Sequence, residues 1–223
     1  MILRAENIHK VYNNAGKSLH VLKGINLDIP EAKMIAIVGP SGSGKSTLLN
    51  LLGGLDEPTE GRVILEDFDI YKLSDFELSQ VRNKRFGFVF QFYHLLAEFT
   101  VLENVLLPAM VNSDNKNLKE IRLRAEELLD KVGLKDKKRC FPNQLSGGEQ
   151  QRVAICRSLI NTPKILFCDE PTGNLDSQTA KEVIFLIKDL QIKNNMSVVL
   201  VTHNQELAGI ADEILYLRDG FLH

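Results

Sequence analysis

Residues 39–47 read GPSGSGKST and follow directly on an apolar run, IAIV, at 35–38. The glycines, the lysine and the hydroxyl residues fit the pattern G-x-x-x-x-G-K-[ST]. The glycines allow the backbone to curl until successive N–H groups point inward, and the start of the next helix adds partial positive charge. The segment therefore predicts a phosphate-binding loop between a buried strand and a helix that starts near Lys45.

The residue types in this loop suit a nucleoside triphosphate. Lys45 would supply a full charge to the β- and γ-phosphates, and the Ser46 hydroxyl would ligate Mg²⁺. A glycine turn with a surface lysine is the alternative, and the strand–loop–helix context argues against it. The predicted nucleotide-binding residues are Gly39, Pro40, Ser41, Gly42, Ser43, Gly44, Lys45, Ser46 and Thr47.

Two later apolar runs end in polar residues. The run at 165–168 is followed by Asp169 and Glu170, and the run at 198–201 leads to His203. Ligands of doubly wound sheets bind at the carboxyl ends of the strands, where the glycine-rich loop also lies. Asp169 is placed to hold Mg²⁺, and Glu170 to polarise an attacking water as a general base. A strand that simply runs out into solvent, and a histidine with a structural role only, are the alternatives.

The order of apolar runs predicts an α/β fold. Strand-like runs fill the first part of the chain, and helices alternate with strands in the last third. The middle, from about Ser74 to Gly148, is more helical and charged. Strands that alternate with helices imply a parallel sheet covered on both faces. We expect one nucleotide-binding domain over 1–223, with a core of about 1–91 and 150–223 and a helical subdomain of about 92–149.

Composition argues against two classes of protein. The chain has 223 residues, of which 44% are hydrophobic and 25% charged, and its formal net charge is -2. This balance disfavours a nucleic-acid-binding protein with a broad basic surface. No apolar run approaches the roughly 18 residues that cross a bilayer, and the N-terminus lacks the apolar core of a signal peptide. We expect a cytosolic chain with reduced cysteines, for which any membrane role would come through a partner.

A second glycine-containing helix start lies at 145–152, which reads LSGGEQQR. Ser146 is suited to cap the helix, and Gly147 and Gly148 leave its first N–H groups uncovered. A simple N-cap would explain the serine, but not two glycines followed by a polar, helix-forming segment. The chain therefore combines a phosphate-binding loop with a second helix end that suits an anion.

Together these motifs resemble the ATPase subunit of ABC transporters over essentially the whole chain. The resemblance implies a P-loop NTPase fold with a RecA-like ABC-ATPase core, an N-terminal antiparallel β-subdomain and an inserted α-helical subdomain. LSGGEQQR is similar to the family signature, which contacts the ATP held by the opposite subunit. Ser146, Gly147, Gly148 and Gln150 would then act in trans, in a head-to-tail homodimer with two ATP molecules between the copies.

The same resemblance assigns the remaining positions. Tyr12 corresponds to the aromatic residue that stacks on adenine, and Gln91 to the glutamine that links Mg²⁺ and water to the membrane interface. Residues 174–176 resemble the loop at the dimer seam, which places Asp176 there, and His203 resembles the histidine that contacts the γ-phosphate. The implied catalytic residues are Glu170, His203 and Gln91, and the implied Mg²⁺ ligands are Ser46, Gln91 and Asp169.

Three further segments indicate a subgroup within this family. They are LLGGLDEPTEG at 51–61, the long segment at 82–110 and CDEPTGNLDSQT at 168–179. They resemble the subgroup that serves lipoprotein release and tripartite macrolide or peptide export. The expected function is to power release of lipoproteins from the inner membrane towards the outer membrane. Export of macrolides or peptides, and a regulatory ATPase without cargo as in cell-division relatives, are the alternatives.

The resemblance also implies cofactors, partners and a location. ATP and Mg²⁺ would bind this subunit, and integral inner-membrane permease subunits would carry the cargo above it. The subunit would be a peripheral protein at the cytoplasmic face of the inner membrane. Apolar and aromatic residues that follow Gln91 would partly pack inward and partly line a groove for a short helix of a membrane subunit. They are Phe92, Tyr93, Leu95, Leu96 and Phe99.

Overall fold

A computed structural model describes residues 1–14, 17–111 and 117–223 of the chain. Within these residues the strands are β1 (Leu3–Asn14), β2 (Lys17–Ile29), β3 (Met34–Val38), β4 (Glu60–Leu65), β5 (Phe68–Asp69), β6 (Phe86–Phe90), β7 (Ile165–Asp169), β8 (Ser197–Thr202), β9 (Glu213–Arg218) and β10 (Phe221–Leu222). The α-helices are α1 (Lys45–Leu52), α2 (Asp75–Arg85), α3 (Val101–Val111), α4 (Leu118–Lys131), α5 (Gly147–Leu159), α6 (Ser177–Asn194) and α7 (Gln205–Ala208).

The central sheet has six strands in the order β10-β9-β3-β8-β7-β6. Strands β9, β3, β8, β7 and β6 run parallel to their neighbours, and β10 pairs antiparallel with β9 at the edge. The predicted α/β fold with a parallel sheet is confirmed. Because parallel strands point the same way, the residues that follow β3, β6, β7 and β8 gather along one edge of the sheet.

A second, antiparallel sheet has the order β2-β1-β4-β5. The long strands β1 and β2 pair along most of their length, from Leu3 opposite Ile29 to Tyr12 opposite Leu19. The predicted N-terminal antiparallel β-subdomain is therefore present. It lies against the same face of the central sheet as α1, since their buried side chains belong to one apolar cluster.

The inner strands β3, β7 and β8 are buried on both faces, which explains their almost continuous apolar sequences. Successive side chains of a strand point to opposite faces. In β8, Val199 and Val201 join the apolar cluster shared with the antiparallel sheet and α1. Val198 and Leu200 join the cluster on the other face, shared with α3, α4, α5 and α6. The sheet is thus covered on both faces, as predicted.

Strand β6 lies in the middle stretch for which the sequence predicts mainly helix. That expectation holds for α2, α3 and α4, but it is wrong for residues 86–90. Helix α2 ends at Arg85 and β6 begins at the next residue, Phe86, so no turn residues mark the change from helix to strand. Phe86 packs edge-on against Phe167 of β7, with ring centroids 5.2 Å apart, so a tertiary contact supports the strand.

Helices α3 and α4 lie within the predicted helical subdomain at 92–149, and α5 extends past its end. Residues 112–116 of that subdomain, and residues 15 and 16 of the predicted core, lie outside the described residues. The division of the chain near residues 91 and 150 stays a prediction.

Candidate nucleotide-binding and catalytic site

The glycine-rich loop leaves the end of β3 and enters α1 through a left-handed backbone. Gly42 has φ 79° and Gly44 has φ 101°, values that glycine adopts without steric cost. Gly39 is constrained by a neighbour, since a Cβ there would lie 2.2 Å from the carbonyl oxygen of Leu217 in β9. Among the described residues, no side chain caps α1 at Gly44. The first N–H groups of α1 are therefore available to an anion.

Lys45 folds back over its own loop. Its Nζ donates to the carbonyl oxygens of Gly39 at 2.9 Å and Pro40 at 3.0 Å, and the side chain is buried. Pro40 and Ser41 are exposed at the rim of the loop. The Ser43 hydroxyl is buried and has no hydrogen-bond partner among the described residues. A buried hydroxyl beside an ammonium group and open N–H groups is suited to phosphate oxygens.

The first turn of α1 reaches the end of β7 through Ser46. Its hydroxyl donates to Asp169 Oδ1 at 2.9 Å. Burial, and secondarily the charge of Glu170, raise the pKa of Asp169 against the hydrogen bond from Ser46 and the charge of Lys45. A hydroxyl and a carboxylate oxygen are the hard ligands that Mg²⁺ uses, with one or two protein groups beside substrate phosphates. The pair therefore fits Mg²⁺.

Glu170 and His203, which follow neighbouring strands, meet in space. Glu170 Oε1 lies 2.9 Å from His203 Nδ1. The Glu170 backbone has φ 46°, which is uncommon outside glycine, and its N–H donates to Val201 O at 2.9 Å. The carboxylate side chain is 16% exposed, whereas the histidine ring is 63% exposed. A shielded carboxylate that a histidine holds in place is suited to accept a proton from water.

Gln91, just after β6, is paired with the loop that follows Glu170. Its Nε2 donates to Asn174 Oδ1 at 3.1 Å, and Asn174 Nδ2 donates to Gln91 O at 3.1 Å. Gly173 permits this approach, because a Cβ there would lie 2.8 Å from Gln91 Cδ. The Gly173 N–H donates in turn to Glu170 O at 3.0 Å. Two hydrogen bonds to Asn174 and one from Gly173 to Glu170 thus connect Gln91 with the backbone of Glu170.

Tyr12, on β1, lies beside α1 with its ring 40% exposed. Its hydroxyl donates to Asp56 Oδ2 at 2.7 Å, and Lys10 Nζ lies 4.8 Å from the ring centroid. Burial and the hydrogen bond to Asp56 raise the pKa of Tyr12, while a hydrogen bond with Thr47 opposes the rise. Sequence reasoning found Tyr12 but missed Lys10 and Asp56, and no local signal separates them from other charged residues in strands and turns.

Ser146 caps α5 in a capping box. Its Oγ accepts from the Glu149 N–H at 3.3 Å, and the Glu149 carboxylate accepts from the Ser146 N–H at 2.8 Å. The hydrogen bond from the Ser146 backbone is the largest influence that lowers the pKa of Glu149. Gln150 Nε2 donates to Leu145 O at 3.2 Å. Among the described residues, the side chains of this helix start bond to their own segment and, through Glu149, to Lys137 at 3.7 Å, and not to the loop at 39–47.

Gly147 and Gly148 lie tightly against neighbouring elements. A Cβ at Gly147 would lie 2.9 Å from the Tyr93 hydroxyl, and one at Gly148 would lie 2.5 Å from Thr179 Cγ2. Asp176 caps α6, where its carboxylate accepts from the Thr179 N–H at 3.0 Å and hydroxyl at 2.6 Å. The start of α5 and the predicted seam loop are therefore neighbours through Thr179.

Apart from Tyr12 on β1, the predicted site residues fall into two groups. One group joins the loop at 39–47 with the residues after β6, β7 and β8. The other joins the start of α5 with the start of α6. Sequence reasoning missed Gln151, a buried residue whose Nε2 donates to Phe90 O and Pro171 O. It ties the end of β6 to the loop after Glu170, and nothing in the polar run EQQR distinguishes it.

Comparison with known proteins identifies the family of this chain. The family model described as ABC transporter matches residues 22–173, more than half of the chain. The chain belongs to the ABC transporter family. Curated relatives of this ABC transporter protein include the lipoprotein-releasing system ATP-binding protein LolD of Cytophaga hutchinsonii, 49% identical over 221 residues that cover 99% of this chain and 98% of the relative. The LolD protein of Acinetobacter baylyi is 46% identical over 220 residues, 99% of this chain and 96% of the relative.

Solved structures of ABC transporter cassettes share the fold. A dimeric bacterial cassette is 42% identical, with a TM-score of 0.91 and coverage of 99% of this chain and 96% of that chain. The same cassette in a post-hydrolysis state bound to ADP and Pi has a TM-score of 0.90 at 42% identity, with the same coverage. The ABC transporter chain described here is an ATPase that binds ATP. None of its described helices has the length and apolar character of a membrane span.

Proposed function

We propose that this ABC transporter ATPase powers the release of lipoproteins from the inner membrane towards the outer membrane. The observation that carries the proposal is the similarity to LolD proteins along almost the full length of both chains, at 49% identity in one case. The proposed assembly is a homodimer of this subunit at the cytoplasmic face of the inner membrane, bound to integral permease subunits like LolC and LolE. Those permeases contact the lipoprotein cargo, and nucleic acid is not a partner.

ATP is held first by one copy of the subunit. The N–H groups of the loop at 39–47, the Lys45 ammonium and the buried Ser43 hydroxyl surround the phosphates, and Tyr12 stacks on adenine. Ser46, Asp169 and Gln91 are the proposed Mg²⁺ ligands. Gln91 Nε2 is engaged by Asn174, which leaves Oε1, the atom suited to a cation. Mg²⁺, when bound, supplies charge that neutralises the β- and γ-phosphate oxygens.

Hydrolysis requires a proton acceptor beside the γ-phosphate, and Glu170 is proposed for that role. His203 Nδ1 engages Oε1, which leaves Oε2 for a water. The water oxygen bonds to the γ-phosphorus while the bond from that phosphorus to the β–γ bridging oxygen breaks. Glu170 accepts the proton of the water, and ADP and phosphate are the products. The exposed face of His203 is proposed to contact the γ-phosphate.

The second helix start is proposed to act on the ATP of the opposite copy. Ser146, Gly147, Gly148 and Gln150 would close over its γ-phosphate, and Asp176 would lie at the seam. The position of the α5 start beside Tyr93 and the α6 start, away from its own phosphate loop, supports contact in trans. The dimeric state of the similar solved cassette supports it as well. ATP would then favour closure, and its hydrolysis would remove the ligand that holds the dimer closed.

A groove next to Gln91 is proposed to receive a helix of the permease. Phe92, Leu96 and Phe99 are exposed, whereas Tyr93 and Leu95 are partly buried, so about half of the apolar segment is available to a partner. A cavity of about 430 Å³ adjoins this segment. Its lining includes Leu55, Phe88, Phe90 and Arg157. Arg157 also donates to Tyr93 O and His94 O, which connects the cavity wall to the segment after Gln91.

The test is reconstitution. The subunit and its LolC/LolE-like permeases are purified together, inserted into liposomes with a labelled lipoprotein, and supplied with ATP. We expect ATP-dependent release of the lipoprotein to a soluble acceptor, and no release with the Glu170→Gln variant. Phe92→Ala and Leu96→Ala should lower co-purification with the permeases.

The opposite result would be equally clear. If the complex hydrolysed ATP but released no lipoprotein, and instead moved a peptide or macrolide across the membrane, the proposed cargo would be wrong. If both apolar variants left permease binding and coupled hydrolysis intact, the groove would be wrong while the cargo assignment stood.

A further inference from the structure

We propose that Asp56 and Lys10 are positioning residues for Tyr12. They hold its ring in place, with the lysine over one face and the opposite face left open for the purine of the nucleotide. The inference rests on the proposed contact between Tyr12 and adenine and deepens it. It concerns two residues that make no proposed contact with the nucleotide.

The carboxylate of Asp56 fixes the hydroxyl end of the ring. Its Oδ2 accepts from the Tyr12 hydroxyl at 2.7 Å. Its Oδ1 accepts from Lys10 Nζ at 2.7 Å and from the Glu57 N–H at 2.8 Å. Hydrogen bonds to a charged group are short and directional, and both oxygens of this carboxylate are engaged. The position of the hydroxyl is therefore determined before any nucleotide arrives.

Lys10 fixes the ring plane. Its ammonium group lies 4.8 Å from the ring centroid, within the range of a cation–π contact. The same group donates to Glu57 O at 2.6 Å, and the residue is only 9% exposed, so the charge is held in one place. Tyr12 is 40% exposed, so part of the residue remains accessible to a ligand. A ring that has a cation over one face and an open opposite face suits stacking by a flat base.

The support is anchored to the helix that begins at the phosphate loop. The turn that carries Asp56 is bonded to α1, since the Leu55 N–H donates to Asn50 O at 2.8 Å. The Tyr71 hydroxyl donates to Asp56 O at 2.6 Å from the other side. The ring of Tyr12 is thus fixed relative to the loop at 39–47. Fixing a ligand-binding side chain in advance raises affinity, because less freedom is lost on binding.

A purely structural role for these residues would be to join β1 to the turn after α1. The two roles predict different results. Damage to the fold near α1 would weaken every ligand of the loop at 39–47, whereas loss of ring positioning would weaken only ligands that have a base. Inorganic tripolyphosphate has the phosphates of ATP and no base, so it separates the two.

The experiment measures the dissociation constants of ATP and tripolyphosphate, each with Mg²⁺, for the full chain by isothermal titration calorimetry. The variants are Asp56→Asn, Lys10→Met and Tyr12→Phe, which change few atoms, with Tyr12→Ala as the reference for loss of the ring. We expect ATP to bind about tenfold more weakly in the first three variants, within the range that base stacking contributes. Tripolyphosphate affinity should stay unchanged. In steady-state hydrolysis by Asp56→Asn and Lys10→Met, the KM for ATP should rise while kcat stays unchanged.

Two matched controls replace a carboxylate and a lysine elsewhere. Asp28→Asn removes a carboxylate that accepts from Arg4 Nε at 2.8 Å on the antiparallel sheet. Lys188→Met removes a lysine that donates to Asp212 Oδ2 at 2.8 Å on α6. Neither group contacts Tyr12 in the described residues, and both variants should bind ATP and tripolyphosphate like the unmodified chain.

Three results would overturn the inference. Equal weakening of ATP and tripolyphosphate in Asp56→Asn and Tyr12→Phe would assign these residues a structural role. Unchanged ATP affinity in the three conservative variants, with a loss in Tyr12→Ala, would mean that the ring stacks without their support. Full ATP affinity in Tyr12→Ala would refute the base contact itself. That last result would leave phosphate binding at 39–47 and the proposed transport function standing.

Discussion

Two helices of this chain begin next to glycines, and they differ in what satisfies their first N–H groups. Helix α1 begins at a left-handed glycine, Gly44, and lacks a side-chain cap among the described residues. Helix α5 begins at Ser146, whose hydroxyl already accepts from the Glu149 N–H. The start of α1 also has a lysine, a buried hydroxyl and a carboxylate around it. Around the start of α5 lie Tyr93, Thr179 and Glu149, and the charge of Lys137, 3.7 Å away, is paired with Glu149.

The difference indicates which helix start binds a phosphate alone. The α1 start has a full positive charge and open donors, so we expect one copy of the chain to suffice for ATP binding. The α5 start offers the N–H groups of a capped helix, which attract an anion weakly when the anion is not already held. It is therefore expected to recognise a phosphate presented by another copy. Substitutions at the two helix starts should therefore have different effects on binding and on hydrolysis.

Removing the charge at the first helix start should abolish binding by single copies. Lys45→Ala loses the ammonium group that faces the phosphates, and ATP affinity should fall by at least about a hundredfold, as for the loss of a buried charge partner. Calorimetry on the isolated subunit measures it. Lys181→Ala, which removes an exposed lysine paired with Glu206, is the control and should bind normally. If Lys45→Ala bound ATP normally, the α1 start would not be the primary site.

Glu170→Gln should separate binding from hydrolysis. The glutamine retains an oxygen for His203 but cannot accept a proton, so hydrolysis should fall by roughly 10² to 10⁴-fold while ATP still binds. With both helix starts intact and ATP not consumed, dimers should accumulate. Phosphate release and light scattering after gel filtration measure the two effects. Exposed Glu182→Gln is the control, and normal turnover in Glu170→Gln would remove this residue from the role of general base.

Ser146→Arg should damage the second helix start alone. Hydrolysis should drop by about tenfold or more because an arginine blocks the approach of the opposite copy. ATP affinity of single copies should be unchanged. Ser74→Arg is a matched control, because Ser74 caps α2 in the same kind of capping box. It should retain basal hydrolysis.

Mixing two inactive variants tests directly whether the α5 start acts on the ATP of the opposite copy. A mixed dimer of Ser146→Arg with Lys45→Ala has one site in which both the phosphate loop and the opposing α5 start are unmodified. Hydrolysis by the mixture should therefore exceed that of either variant alone. A mixture no more active than its components would argue that the α5 start does not act in trans.

The smallest effect concerns stability. Because the folded-state pKa of Asp169 is raised, its contribution to stability is present in acid and is lost as the pH rises through that pKa. Above that pKa, the buried charge is a cost that asparagine removes. Asp169→Asn should therefore melt a few degrees higher than the unmodified chain without nucleotide, and the difference should disappear in acid.

The pKa of Asp212 is lowered despite burial, by Lys188 and the Met34 N–H, so Asp212→Asn should melt at a lower temperature than the unmodified chain. Melting curves at several pH values measure both effects. If the melting temperatures of both variants shifted in the same direction, the opposite contributions of Asp169 and Asp212 to stability would be refuted.

Local sequence signals predicted the strand–loop–helix unit from β3 to α1 well. Helix α1 begins at Lys45, as the motif requires, and ends before Gly53, as expected for a glycine stop. The strand ends near Asp169 and His203 were also predictable. The strands before them are buried on both faces, and this makes their sequences continuously apolar up to the polar residues. These features depend on residues that are adjacent in the sequence.

Contacts between distant segments were not predictable. Nothing near Lys10 in the sequence indicates that its ammonium group lies 2.7 Å from Asp56, and nothing near Gln91 indicates its pairing with Asn174. Strand β6 was missed for the same reason, since its support comes from Phe167 on another strand. A single sequence specifies such pairs only through the complete fold.

Strand β3, which leads into the phosphate loop, has β8 on one side and β9 on the other. The first glycine of the loop lies against Leu217 of β9. Both flanking strands belong to the region 197–218, so β3 is synthesised well before the strands with which it pairs. On the ribosome, a chain that has emerged only as far as α6 lacks both neighbours of β3 and the wall behind Gly39. We therefore expect nucleotide capture to begin only after this region has been synthesised and has paired with β3.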